Sequence, residues 1–170
     1  MSTAMELRTP TWGMAPEPAR PLDWLAARTE IAMVGWDAPV DEGAAGVAGH
    51  DPRSEYVERF WLPLVGPSCL LASRHLTGRL GGRASGVVLS LDELAGSLGL
   101  GAGTGRNATV RRTLARLIDF GLARVERDAF ELRRAFPSLT ACQVGRLPLH
   151  LAVEHRCLAR FDRPTDRIAG

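Results

Sequence analysis

Residues Val87–Arg134, VVLSLDELAGSLGLGAGTGRNATVRRTLARLIDFGLARVERDAFELRR, decide how the rest of this 170-residue chain is read. A short apolar strand, Val87–Leu89, runs into Ser90, whose hydroxyl can cap a helix while Glu93, three residues on, reaches back to the capping amide. Leu91, Leu94, Ala95 and Leu98 follow at helical spacing, until Gly99, Gly101, Gly103 and Gly105 force a turn. A second helix is expected to start around residues 104–107 and run to Phe120, with Gly121 as its left-handed stop. At about 100° per residue, Val110, Leu114, Leu117 and Ile118 form one side of it, and Ala108, Thr109, Arg112 and Arg116 the other. Leu122–Val125 and Phe130–Arg133 then read as a hairpin, in which a two-residue turn at Arg127-Asp128 pairs Val125 with Phe130 and Ala123 with Leu132.

Upstream, residues 54–80, SEYVERFWLPLVGPSCLLASRHLTGRL, read as two helical pieces. Ser54 caps the first, Pro63 kinks or ends it near Leu62, and Pro67 suits the first turn of the second. Their aromatics, Tyr56, Phe60 and Trp61, are expected to fill a core. Residues 1–53 are rich in Pro, Gly and Ala and read as a flexible arm. An apolar island at 22–36, with Leu22, Trp24, Leu25, Ile31, Met33, Val34 and Trp36, interrupts the arm and is expected to form a short helix. It either folds back on the domain or docks a protein partner; covering it internally is favoured, because exposed Trp and Leu cost solubility. Downstream, Leu147, Leu149, Leu151, Val153, Cys157, Leu158 and Phe161 make a broad helical stripe, which either packs on 54–80 or forms a homodimer interface. The last residues, 162–170, are expected to fray.

Composition narrows the classes. Hydrophobic residues make up 45% and charged residues 24% of the chain, average for a globular protein, so it is expected to fold as one domain, 54–161, with flanking segments. No apolar run approaches the ~20 residues of a membrane span, and MSTAMELRTP has no export pattern, so a cytoplasmic location is expected. All 21 basic residues are Arg, as a GC-rich genome favours. Their distribution is more telling: residues 1–53 hold four Arg against eight acids, whereas 54–170 hold 17 against 11. The positive half is the one with the helix pair and hairpin, where it could neutralise phosphates.

Taken together, SLDELAGSLGLG followed by RRTLARLIDFGLARVE resembles the helix-turn-helix and first wing strand of bacterial winged-helix transcription regulators. The resemblance implies a mostly α fold with a small β-hairpin wing and flanking N- and C-terminal helices. It implies a regulator that binds double-stranded DNA, probing the major groove with the second helix and the flanking backbone with the hairpin. On that footing Arg106, Asn107, Thr109 and Arg112 would face base edges, and Arg116 and Arg127 would contact phosphates. The glycine turn either serves tight geometry alone or also lets backbone amides and Arg106 approach a phosphate. The competing reading is a protein-interaction module without direct DNA contact, using the 22–36 island and the C-terminal stripe. A regulator with an effector pocket between 54–80 and the tail is a third.

Other chemistries are poorly supported. His150, His155, Cys157 and Cys142 raise the question of zinc, but five- and two-residue spacings point the ligands in different directions along a helix. Three cysteines are one short of an all-cysteine iron–sulfur cluster and read as buried free thiols. The glycines at 99–105 do not complete GxGxxG, and a Walker A loop needs a Lys that the chain lacks. With no nucleophile elbow, HExxH or paired carboxylates, no cofactor and no catalytic activity are expected.

Overall fold

Met33 marks the centre of the protein. In a computed structural model that describes residues 20–37, 49–82, 86–102 and 105–161, strand β1 (Glu30–Trp36) stitches the sheet together through this residue. Glu30–Met33 pair antiparallel with β2 (Val87–Ser90), and Met33–Trp36 pair parallel with Phe130–Arg133 of β4 (Ala129–Arg133). The hairpin partner β3 (Ala123–Glu126) completes the order β2-β1-β4-β3. Ile31 and Met33 of β1, Leu89 of β2, and Phe130 and Leu132 of β4 are buried. Gly86, at φ +72°, admits the chain to β2: a Cβ there would stand 2.6 Å from the Met33 carbonyl oxygen.

This architecture corrects the expected fold. The protein is mixed α/β, built on a four-stranded sheet with both parallel and antiparallel pairs, and not a mostly α winged-helix domain with a small hairpin wing. The overturning element is the 22–36 island. It folds into the domain, not as one short helix but as a helix α1 (Pro21–Ala26) followed by β1 in the middle of the sheet. Ala32, Val34 and Trp36 on the face opposite buried Ile31 and Met33 are apolar too, which hides the two-residue period that would have revealed a strand. The remainder of the expected arm, residues 1–19 and 38–48, and the 162–170 tail lie outside the described residues.

The local elements agree more closely with expectation. The 54–80 region forms a π-helical turn, Val57–Trp61, then α2 (Leu62–Val65) and α3 (Pro67–Leu80). The wide turn, in which Leu62 N–H reaches back five residues to Val57 O, precedes Pro63, whose ring would crowd a regular α-helical carbonyl. Ser90 accepts from Glu93 N–H at 3.4 Å to cap α4 (Leu91–Ser97). Helix α5 (Thr109–Asp119) begins later than expected and ends at Gly121, φ +69°. The hairpin register is as read, and its tip carries Arg127 and Asp128 at φ 48° and 66°, the mirror-image turn that matches strand twist.

The C-terminal elements, α6 (Ala141–Val144) and α7 (Leu149–Phe161), close the back of the molecule. Thr140 and Gln143 form a reciprocal capping box at α6. Trp61 Nε1 donates to Pro137 O at 2.9 Å, and its ring meets Phe136 edge to face. Helix α7 docks through buried Ala152, the Arg59–Glu154 ion pair at 2.8 Å and His155. Its Nε2 lies 2.8 Å from Tyr56 Oη, which itself accepts from Leu139 N–H at 2.9 Å, so the phenolic proton is available to a neutral imidazole. His155 also stands edge-on to Phe60, while His50 stacks on Tyr56 at 3.6 Å. No helix among the described residues is long and apolar enough to cross a membrane.

Burial pushes the His155 imidazole below its ordinary value near 6.5, because the charged form loses solvation against Phe60 and Tyr56. The unfolded chain therefore binds more protons in the window just below pH 6.5, and folding loses stability as pH falls through it. Urea midpoints of the wild type should drop between pH 7.5 and 5.5 by more than those of His155→Phe, which keeps an aromatic ring but cannot titrate. Equal slopes for the two proteins would contradict the assignment.

Candidate functional site

Helix α5 is far more enclosed than a recognition helix. Val110, Leu114 and Leu117 point into the core as expected, but Arg111, Thr113 and Ala115 are buried as well. Only Arg112, Arg116 and Asp119 form an exposed strip, with α1 on one side and the α2–α3 corner on the other. Leu25 of α1 is fully buried, worth about 1.5–3 kcal/mol for a side chain of that size. Arg111, 4% exposed, fastens the contact by donating to Arg28 O at 2.7 Å and Gly105 O at 3.1 Å.

The sequence-expected DNA-contact residues therefore divide. Arg106 is exposed, but its guanidinium pairs with Asp23 of α1. Asn107 is exposed beside it, in the turn ahead of α5. Thr109 opens α5 half-buried and accepts from Arg112 Nη2 at 3.4 Å. Arg112 projects to solvent. Arg116 is occupied: Nε donates to Val65 O at 2.9 Å and Nη2 to Leu64 O at 2.8 Å, and the group lies 5.2 Å from the Phe120 ring. It holds the α2–α3 corner and is not presented to a partner. Arg127 is exposed at the hairpin tip.

Sequence reasoning missed the element that joins these residues. Asp128, next to Arg127, pairs with Arg28 and accepts from Trp24 Nε1 at 3.2 Å, so α1 ties the hairpin tip to the start of α5. The available signal was Ala108, Arg111 and Ala115, an α5 stripe whose small residues leave room for another helix. Across this surface Arg20, Arg112 and Arg127 make no ion pair among the described residues. Elsewhere Arg124 pairs with Glu131 at 2.6 Å and stacks on Trp36, and Arg59 and Arg74 pair with glutamates, while Arg79, Arg146 and Arg156 are exposed without an ion pair among the described residues.

The strip of α5 also floors a cleft of about 760 Å³, walled by Arg20–Leu22 and Val65–Cys69. It lies away from the position between 54–80 and the tail where an effector pocket was considered. His150 is exposed and His155 faces Tyr56, so these two histidines do not converge. The 22–36 island places Leu25, Ile31 and Met33 in the core of the domain. The C-terminal stripe splits: Leu147 and Ala152 are buried, while Leu149, Val153 and Leu158 are exposed. Compared with protein-family models, curated proteins and solved structures, the chain matches none.

The three cysteines were expected to be buried, but only Cys69 is; Cys142 and Cys157 are exposed. Desolvation pushes the Cys69 thiol up to about 11, and its Sγ lies 3.6 Å from Thr113 O. A native-state thiol titration with a disulfide reagent should show two fast thiols and a third that reacts only on unfolding. Three fast thiols would show that the cleft floor is open.

Proposed function

We propose that the chain binds double-stranded DNA through the surface made by the hairpin tip, α1 and the start of α5, gripping phosphates and serving as a regulator of transcription. The observation that carries the reading is that Arg20, Arg112 and Arg127 are exposed without ion-pair partners on a surface that α1 makes continuous. Unpaired guanidinium groups on a rigid support are suited to phosphate oxygens, and phosphate contacts supply most of the affinity of such proteins. The enclosure of α5 argues against its lying deep in the major groove, so base reading falls to Asn107 and to Arg106 when it leaves Asp23. Two copies meeting through exposed Leu149, Val153 and Leu158 of α7 would set two such surfaces on one duplex. Those same residues are what favours the second reading, a protein-interaction module, in which the α7 stripe is the contact and DNA is not bound.

Fluorescence anisotropy with a random-sequence duplex separates the two. Three phosphate contacts at a slope of about −0.9 each predict a roughly 40-fold loss of affinity between 50 and 200 mM salt. Arg112→Ala and Arg127→Ala should each weaken binding and lower the slope by about 1, while Arg79→Ala, at the far end of α3, should leave both unchanged. Absence of binding at 50 mM salt, or equal losses in all three variants, would favour the interaction module.

A further inference from the structure

We infer that the cleft between α1, the Val65–Cys69 corner and the exposed strip of α5 binds a small organic oxyanion, its charged head held by Arg112 and the first turn of α3. Several independent features converge there. Arg112 lines the cleft without an acidic partner, and Arg20 stands at its rim. The guanidinium of Arg116, fixed by Leu64 O and Val65 O, adds fixed positive charge to the wall. Helix α3, 14 residues long, begins at the cleft with no side-chain cap, so the Ser68 and Cys69 N–H groups of its first turn face an anion-favouring position. Thr113 is the strongest indication. It is 5% exposed yet lines the cleft, so what little surface this polar side chain keeps is turned to the site.

The rest of the cleft suits an apolar body. Leu22, Val65, Pro67 and Ala115 contribute to its walls, and no atom lies within 4 Å of where a Cβ would stand on Gly66. Asp119, the one carboxylate in the lining, follows Arg116 along the strip and would repel an anion at that end, which directs the head toward Arg112. A volume of about 760 Å³ lies in the range of small-molecule sites. Arg20 and Arg112 are shared with the proposed DNA surface, whereas Arg127 at the hairpin tip is not among the residues lining the cleft, so Arg127→Ala tells the two kinds of binding apart.

The test is titration of the full chain with phenyl phosphate, read by backbone amide shifts. The expected result is saturable movement of the Ser68, Cys69 and Thr113 signals with Kd of about 0.1–1 mM. Arg112→Ala should weaken it at least 5-fold, the near-isosteric Thr113→Val about 3-fold, and Arg127→Ala not at all. Inorganic phosphate should bind more weakly, for want of the apolar body, and benzyl alcohol should not saturate. Benzoate reports whether a carboxylate head serves as well as a phosphate; binding by either supports an oxyanion site. The proposal is overturned if neither anion gives saturable shifts, if benzyl alcohol binds as well as they do, or if Arg112→Ala binds like the wild type while its amide spectrum shows it folded.

Discussion

One strand holds this protein together: β1 crosses the sheet diagonally, giving its first half to β2 and its second to β4, with Met33 in both ladders. Every buried backbone amide and carbonyl needs a partner, and β1 supplies one to an edge of β2 and to an edge of β4. Without β1 the inner residues of β2 and β4, Leu89, Phe130 and Leu132, would lose the neighbour that separates them from water. The parallel β1–β4 pairing also joins positions nearly a hundred residues apart, which makes the arrangement dependent on long-range closure.

The same insertion determines what the surface can do. A chain that enters the sheet at Glu30 must bring its preceding helix across the face of α5, and α1 lands there with Leu25 buried and Arg28 O capping Arg111. The face that would otherwise meet a partner is reduced to the strip Arg112–Arg116–Asp119, and a cleft replaces an exposed ridge. Positive charge is divided by α1 as well. Asp23 neutralises Arg106, Arg28 neutralises Asp128, and Arg20, Arg112 and Arg127 are left over.

Much of this was legible in local sequence and some was not. The Ser90 cap, the α4–α5 pair, the Gly121 stop and the hairpin register depend on residues a few positions apart, and each was readable from spacing. The Thr140–Gln143 capping box had the same kind of signal. The position of β1 had none, because strand pairing is set by distant partners and its apolar residues fall on both faces. Arg116 shows the same limit at the site: a helical wheel places it outward, yet only the fold reveals that Leu64 and Val65 claim its guanidinium. Arg111 is the converse, a charged residue buried because backbone carbonyls from Arg28 and Gly105 receive it.

Hydrogen exchange of the full chain tests the central role of β1 most directly. If β1 is the inner strand described, the Ile31–Val34 amides that donate in its ladders exchange only through global unfolding, as slowly as those of β4, and share their denaturant dependence. Exchange of those amides within minutes, with β4 still protected, would show that β1 is a detachable edge and contradict the account.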